Sequence, residues 1–262
     1  MEMSYREHLI PKKGKNKFRK IVAPNSTLLN YQRNKLPFLE AWYDEIANEK
    51  QLSNIAHGFR KNKNCITGAS RHKGFDLTIM LDLSDFFDNV KSYHIPIYEI
   101  QNDRNLFHAD GYAAQGFATS PMIANIAVLP QLEEMNMVLE QFYPGEYALT
   151  MYADDIQISL NRRDTTQKGP EENVIIEIVY DIFENAGFPM NKKKTRIRYQ
   201  QHGYRKILGV NVGQDHVRAT RKVMKKIRAA GFQGNYQSKG GLTTWSRCLL
   251  PRANRPLNLD ID

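Results

Sequence analysis

Two neighbouring carboxylates, Asp154 and Asp155, are the residues of this chain best suited to metal-dependent chemistry. Apolar residues alternate with smaller or polar ones on both sides of the pair. That pattern predicts two β-strands joined by a hairpin, with the acids at its tip. Asp also hydrogen-bonds its own backbone in many turns, so an ordinary solvated turn is the alternative interpretation.

A third carboxylate, Asp82, lies in the apolar segment 77–83, which is typical of a buried strand. An ionised carboxylate there is costly unless a partner compensates it, and a divalent cation does this well. If the strand lies beside the hairpin, the three acids would form a site suited to Mg²⁺ and phosphoryl transfer. Alternatively, Asp82 only begins the turn into the next helix.

Gln115 and Gly116 precede a predicted helix in which Ser120 is the N-cap and Pro121 the first helical residue. The glycine would let a nucleotide approach the backbone closely, and the glutamine could donate to its sugar or base. An ordinary loop before a capped helix explains the same residues equally well.

Seven such segments occur in one order over about residues 19–213, and together they resemble the bacterial reverse transcriptases of the retron and group II intron lineage. The matching segments are Arg19-Lys20-Ile21 with Pro24; Ala56-His57-Gly58-Phe59-Arg60 with Lys63, Ala69 and His72; Asp82 with Phe86-Phe87; Gln115-Gly116 to Ser120-Pro121 and Asn125; Tyr152-Ala153-Asp154-Asp155; Gly187-Phe188-Pro189-Met190-Asn191 with Lys194-Thr195; and Ile207-Leu208-Gly209. Retron enzymes carry Asn-Ala-x-x-His where this chain has Gly68 to His72, and Val-Thr-Gly at 207–209. The branch therefore stays open, and it includes defence-associated enzymes and those of diversity-generating elements.

The resemblance implies a role for each matching residue. Asp82, Asp154 and Asp155 would bind two Mg²⁺ ions, with Mn²⁺ as the alternative. Lys194 would protonate the leaving pyrophosphate, although Lys192 and Lys193 compete for this role. The remaining roles are nucleotide binding and the primer grip. Arg60 and Lys63 would bind the triphosphate of the nucleotide, and Phe87 would pack under a sugar without a 2′-hydroxyl. Gln115 and Gly116 would also contact the nucleotide. The primer would be gripped by Ile207, Leu208 and Gly209.

The implied fold is an α+β right-hand polymerase with fingers, palm and a short thumb, in which an antiparallel palm sheet packs on helices. Its predicted parts are the first part of the fingers at 1–75, the palm strand with the first catalytic Asp at 76–90, the second part of the fingers at 91–114, the palm and primer grip at 115–215, and a short basic thumb at 216–262. Helical periodicity predicts helices near 31–49, 171–185 and 220–228, and Pro130 should end another near Leu129.

The charge of the chain favours a polyanionic partner, because its net charge is +9 and its pI about 9.4. Residues 187–228 carry 13 Lys or Arg residues against one acid. The residues expected to bind nucleic acid are Arg19, Lys20, Arg221, Lys222, Lys225 and Lys226. Only two cysteines occur, not as a Cys-x-x-Cys pair, so neither a zinc site nor a disulfide framework is expected. With no apolar run of membrane length and a polar N-terminus, we expect a cytoplasmic protein without a membrane partner.

These observations predict an RNA-directed DNA polymerase that copies a dedicated structured non-coding RNA, in a retron or an anti-phage defence system. Its partners would be that RNA, a DNA primer and product, dNTPs, and an effector protein or a second copy of the chain. One alternative is a template-independent or protein-primed polymerase of the same fold. The other is a non-catalytic RNA-binding scaffold, against which three uncompensated carboxylates argue.

Overall fold

The computed structural model describes residues 2–11, 18–161 and 170–249 of the chain. Outside this part lie residues 1 and 12–17 of the predicted fingers, 162–169 of the predicted palm and 250–262 of the predicted thumb. Within it, the strands are β1 Tyr5–Pro11, β2 Phe18–Pro24, β3 Leu77–Asp82, β4 Tyr147–Tyr152, β5 Asp155–Leu160, β6 Arg196–Tyr199, β7 Arg205–Ile207, β8 Val210–Val212 and β9 Val217–Ala219. The α-helices are α1 Ser26–Glu49, α2 Cys65–Ser70, α3 Phe86–Asn89, α4 Tyr98–Gln101, α5 Ser120–Ala127, α6 Leu129–Phe142, α7 Glu172–Asn185, α8 Arg221–Phe232 and α9 Tyr236–Arg247.

A four-stranded antiparallel sheet in the order β4-β5-β3-β6, the central sheet, organises the molecule. On one face, Ile79 lies beside Ile158, which lies beside Leu149, and the pattern repeats along the strands. This apolar face belongs to one continuous core with residues from α1, α5, α6 and α7. The period of two along each strand leaves the other face to polar residues. The predicted strand 77–83 and the predicted hairpin are both confirmed.

The polar face of the central sheet is closed at one end by a buried hydrogen-bond network. The His72 ring contacts Ser159 Oγ at 2.8 Å and Thr150 Oγ1 at 2.7 Å. Arg205, only 1% exposed, donates to Thr78 Oγ1 at 2.9 Å and to the His72 carbonyl at 2.6 Å. Because Arg205 begins β7, this network ties the small sheet β7-β8-β9 to the base of the central sheet.

The N-terminal basic segment forms an antiparallel ribbon, β1 paired with β2, which the sequence did not predict. Its docking to the body explains why it forms. Val22 N donates to the Gln115 carbonyl at 2.7 Å, and the Val22 side chain packs with Leu28, Tyr112 and Phe117. The predicted helix at 31–49 begins earlier than expected, at Ser26, because Asn25 caps it by accepting from Leu28 N.

The start of α5 differs from the prediction by one residue. Thr119 holds the N-cap position and Ser120 is already helical, so the assignment of Ser120 as N-cap was wrong. The hydroxyls of both residues are buried without a hydrogen-bond partner, and neither caps the helix. Pro130 does separate two helices, since α5 ends at Ala127 and α6 starts at Leu129.

The described part of the predicted thumb contains β9, which pairs with β8, and the helices α8 and α9, which pack against each other. Thr220 caps α8 through its Oγ1, so the helix predicted near 220–228 is confirmed and extends to Phe232. Among the described residues, no helix is both long and apolar enough to span a bilayer.

The buried network predicts acid-sensitive stability. Burial, and secondarily the charge of Arg205, lowers the pKa of His72 from 6.5 to about 3. The unfolded chain therefore binds the His72 proton more tightly than the folded one. The stability that depends on neutral His72 is fully present above pH 6.5 and is lost as the pH falls towards 3. Between about pH 6.5 and 5 this group should remove roughly 2 kcal/mol of unfolding free energy.

Urea titrations of the wild type and His72→Gln at several pH values would measure this effect. The variant should be less stable at pH 8, because it loses buried hydrogen bonds, but its stability should fall less steeply on acidification. Parallel pH profiles for the two proteins would contradict the prediction. His57, whose pKa burial lowers to about 4, supplies a residual slope in both.

Candidate active site

A cleft of about 690 Å³ opens at the end of the central sheet where the predicted acids lie. It collects residues from segments far apart in the chain. The residues that line it are Arg19, Phe59, Asp82, Leu83, Ser84, Asp85, Phe86, Phe87, Gln115, Gly116, Ser120, Pro121, Ala153, Asp154, Asn191 and Lys194. Seven of the predicted site residues are among them, namely Arg19, Asp82, Phe87, Gln115, Gly116, Asp154 and Lys194.

The three acids meet because of strand register. Asp82, the last residue of β3, lies directly opposite Asp155, the first residue of β5. Asp154 is in the two-residue turn before Asp155, and its carbonyl accepts from Leu83 N at 2.9 Å. Ala153 shares this turn with a φ of +55°, a conformation that non-glycine residues adopt rarely. Asp82 is therefore part of a strand. Asp154 lines the cleft, whereas Asp155 is exposed and is not among the lining residues.

Burial and neighbouring charge raise the pKa of two of the acids, Asp154 and Asp155. Burial, followed by the neighbouring charges of Asp154 and Asp82, raises the pKa of Asp155 to about 6, although water at its exposed side screens part of this effect. Burial also raises the pKa of Asp154, with the Asp82 charge adding to it, while Lys194 and Arg19 act in the opposite direction. Two carboxylates at this site are thus short of positive charge.

Lys194 supplies one cation. Its Nζ lies 2.8 Å and 2.7 Å from the two carboxylate oxygens of Asp82. These hydrogen bonds raise the pKa of Lys194, so it stays protonated. Lys192 instead lies 4.7 Å above the Tyr180 ring and 3.6 Å from Glu184, which distinguishes it from Lys194.

The residues fit a divalent cation by their chemistry. Three carboxylates lie at one end of the central sheet, and burial, with the charges of neighbouring acids adding to it, raises the pKa of Asp154 and of Asp155. No group of three His, Cys, Asp or Glu side chains in residues 2–11, 18–161 and 170–249 is arranged as a finished metal site. The Lys194 ammonium contacts both carboxylate oxygens of Asp82.

Gly58 and Asn125 position the turn at Ala153 and Asp154, which we call the catalytic turn for its predicted role, although neither was among the predicted site residues. His57 N donates to the Met151 carbonyl and Met151 N to the Ile55 carbonyl, both at 2.8 Å, so this segment runs along β4 as a short parallel pairing. A Cβ at Gly58 would lie 2.5 Å from Ala153 N. Asn125 Nδ2 fixes the Gly58 carbonyl at 3.0 Å. The glycine in the sequence was the available signal, but only the fold shows what approaches it.

Gly116 and Gln115 have a structural role as well as a place in the cleft. Gly116 has a φ of +115°, and a Cβ there would lie 2.2 Å from the Val22 carbonyl oxygen. Gly116 therefore lets the backbone of β2 approach closely. Arg19, a residue of β2, lines the cleft. The predicted contacts of Gly116 and Gln115 with a nucleotide remain predictions.

Arg60 and Lys63, predicted to hold a triphosphate, lie outside the lining of the cleft. The Arg60 guanidinium stacks on Tyr43 at 4.3 Å and forms an ion pair with Asp44. Lys63 Nζ donates to the Ser53 carbonyl. Of all the cationic residues predicted for the site, only Arg19 and Lys194 line the cleft together with Asp82 and Asp154.

The other predicted site residues occupy separate parts of the molecule. Leu208 and Gly209, both with positive φ, form the tight turn between β7 and β8, while Ile207 is buried beneath it. Lys20 forms an ion pair with Glu7 at 3.1 Å on the outer ribbon. Arg221 lines a second groove of about 560 Å³ together with Arg218, Arg228 and Arg247, while Lys222, Lys225 and Lys226 are exposed elsewhere on α8.

Comparison with known proteins identifies the region that carries the site. A family model described as reverse transcriptase (RNA-dependent DNA polymerase) matches residues 10–212. The retron Mx162 reverse transcriptase of Myxococcus xanthus is 26% identical over 258 residues, covering 84% of this chain and 50% of that protein. The retron Ec73 reverse transcriptase of Escherichia coli is 26% identical over 243 residues, covering 82% and 72%. The chain thus spans about half the length of the first of these relatives.

Solved structures show the fold. Apo telomerase from Candida tropicalis, truncated of its C-terminal domain, superposes with a TM-score of 0.58 at 14% identity, covering 82% of this chain and 55% of that one. Candida tropicalis telomerase in complex with a TWJ fragment of telomeric RNA gives 0.58 at 12% identity, covering 93% and 53%. The α+β right-hand polymerase fold expected from the sequence is thereby confirmed.

The crowding of acids predicts a stabilising substitution. Because the pKa of Asp155 is raised from 3.8 to about 6, ionised Asp155 destabilises the folded state above pH 6. Asp155→Asn should therefore raise the unfolding free energy at pH 7.5 by roughly 1 kcal/mol once solvent screening is allowed for. Denaturant titrations at pH 7.5 and 4 would test this, since the gain should disappear at the lower pH. A variant no more stable than the wild type at pH 7.5 would contradict the conclusion that ionised Asp155 destabilises the folded state.

A second prediction concerns the packing behind the catalytic turn. Gly58→Ala would place a methyl group against the backbone of Ala153 and Tyr152, so we expect a loss of roughly 1–3 kcal/mol, as in overpacked cores. The matched control is Gly240→Ala on α9, where a Cβ meets nothing within 4 Å. Thermal unfolding should show a lower midpoint for the first variant and an unchanged or higher one for the second.

Proposed function

The chain belongs to the reverse transcriptase (RNA-dependent DNA polymerase) family, and on this basis we propose that it is an RNA-directed DNA polymerase acting at the cleft at the end of the central sheet. The observation that carries the proposal is the register of Asp82 opposite Asp155, with Asp154 in the adjoining turn. It concentrates carboxylates beside a cavity of nucleotide size. A non-catalytic scaffold would have no use for acids whose repulsion destabilises it.

Asp82, Asp154 and Asp155 would hold the divalent cations of the reaction. We propose Mg²⁺, because the ligands are carboxylates, with Mn²⁺ as the alternative. When bound, two such ions activate the attacking 3′-hydroxyl and stabilise the charge on the leaving pyrophosphate. The protein supplies the fixed strand ends that present the oxygens to them.

Lys194 and Arg19 would act on the triphosphate. In the reaction the primer 3′-oxygen bonds to the α-phosphorus and the bond to the pyrophosphate oxygen breaks. Lys194 is protonated and lies in the cleft, so it can give a proton to that leaving oxygen. Arg19 lies in the same wall and can pair with phosphate oxygens in the fork geometry of a guanidinium. We propose Arg19 for the role that the sequence suggested for Arg60 and Lys63.

Phe87 supports a deoxynucleotide substrate. Both Phe86 and Phe87 line the cleft, but Phe86 is buried in the core and Phe87 is half-buried, so Phe87 has the more accessible ring. An apolar ring beneath the sugar leaves a 2′-hydroxyl without a hydrogen-bond partner, and an unpaired polar group in such a site is costly. Gln115 and Gly116 would contact the sugar or base from the opposite segment of the cleft.

For the template we propose a dedicated structured RNA, and the similarity to retron reverse transcriptases supports an RNA template. The basic helix α8, with its exposed Arg221, Lys222, Lys225 and Lys226, would contact phosphates of this RNA or of the DNA product. The turn at Ile207 to Gly209 would support the primer. A defence role, with an effector protein or a second copy of the chain as partner, belongs to the same proposal.

Incubation of the purified protein and its co-purifying RNA with labelled dNTPs or NTPs and Mg²⁺ tests the function. DNA products that disappear after RNase treatment support templated synthesis from deoxynucleotides. Asp154→Ala should reduce synthesis by roughly 10³-fold or more, because the cation site loses a ligand. RNA affinity, measured by filter binding, should stay within about twofold, since the basic surfaces carry it.

The control variant is Asp181→Ala, which removes an exposed acid of α7 outside the cleft and should leave synthesis unchanged. Homopolymer tails made without a template would favour the template-independent alternative. Synthesis that survives Asp154→Ala would contradict the assignment of the metal site.

A further inference from the structure

Phe59 places a large apolar ring in the cleft, beside that of Phe87. The residue is 42% exposed and lines the cleft. Its ring centroid lies 6.0 Å from that of Phe87, with the ring planes inclined at 61°. Phe87 packs against the main core and its neighbour Phe86 is buried in it, but Phe59 belongs to none of the described core clusters. Core packing therefore does not explain its position.

The backbone of Phe59 is held in an unfavourable conformation. Its φ is +59°, in the left-handed region that a bulky L-residue rarely adopts. Such a conformation persists only where neighbouring contacts determine it, and it is found mainly at functional sites.

Those contacts lie on both sides of Phe59. Gly58 packs against the catalytic turn at Ala153 and its carbonyl accepts from Asn125 at 3.0 Å. Arg60 is fixed on the other side by stacking on Tyr43 and by its ion pair with Asp44. The contacts that keep Arg60 out of the cleft thus aim the preceding ring into it.

We propose that Phe59 is a specificity-determining residue whose ring meets that of Phe87 edge to face and so lengthens one apolar wall of a slot for the base and sugar of the incoming deoxynucleotide. An aromatic ring at a nucleotide site gains free energy by stacking on a base or packing on a sugar. The wall formed by the two rings leaves less room for a 2′-hydroxyl and offers it no hydrogen-bond partner. This inference rests on the proposed polymerase function.

Nucleotide binding tests the inference without requiring synthesis. A dideoxynucleotide, which cannot be extended, is titrated by calorimetry against the protein with an RNA template and DNA primer in Mg²⁺. Phe59→Asn removes the ring while tolerating a positive φ, and Phe59→Tyr keeps the ring. We expect Kd to rise about tenfold in the first variant and less than about twofold in the second.

Steady-state incorporation of dNTPs and rNTPs gives the second readout. Phe59→Asn should raise KM for the dNTP with kcat nearly unchanged, and it should reduce the preference for dNTP over rNTP. In a double-mutant cycle with Phe87→Ala, the two effects on this preference should not add, because the rings bound one slot. A purely structural defect would instead lower kcat for both substrates and leave the preference intact.

Tyr98→Ala is the control, since this ring is 74% exposed and lies outside the cleft. An unchanged Kd and an unchanged sugar preference in Phe59→Asn would overturn the inference, as would equal losses in Phe59→Tyr. Failure of the wild type to make DNA, combined with nucleotide binding that depends on the Phe59 ring, would refute the proposed function while supporting the slot.

Discussion

The pairing of β3 with β5 is the constraint on which the rest of the structure depends. Asp82 lies opposite Asp155 only in one register, and in that register the apolar residues of both strands share the face that packs on the helices. A shift by one residue would exchange Asp82 for an apolar neighbour and turn the buried face towards the polar network. Burial of the core therefore selects the same alignment that brings the acids together. The pairing that folds the sheet thus sets the position of Asp82 and Asp155, and the Gly58 segment supports the turn between β4 and β5.

Electrostatics at the site oppose stability, and several contacts offset them. Burial, and after it the charges of neighbouring acids, raises the pKa values of Asp154 and Asp155. Lys194 neutralises part of this charge at Asp82, and the strand pairing and the Gly58 segment hold the turn in place. A protein selected for stability alone would neutralise or separate these groups, so their retention fits a site that needs a cation. Gly58 packs against Ala153 and is followed by Phe59, and both of these neighbours have a left-handed backbone conformation.

Periodicity alone predicted the central elements well. The alternating flanks of Asp154 and Asp155 and the continuous apolar run before Asp82 each correspond to a strand, because burial on one or two faces leaves a direct pattern in the sequence. The ribbon β1-β2 leaves little such pattern, since most of its residues are exposed and it is held by docking at Val22. Arg60 could not be placed either, because Asp44 and Tyr43, which capture it, come from a helix that precedes it in the chain.

The order in which the central sheet can assemble follows from its connectivity. β3 is an inner strand whose two neighbours, β5 and β6, are both supplied by chain that follows it after long separations. Contacts of such high sequence separation form slowly, since the loop between them must close first. During synthesis on the ribosome, the apolar segment of β3 must therefore wait without its partners until residue 199 has emerged. The same topology that unites the acids leaves an aggregation-prone strand unprotected in the nascent chain, where chaperone binding would matter most.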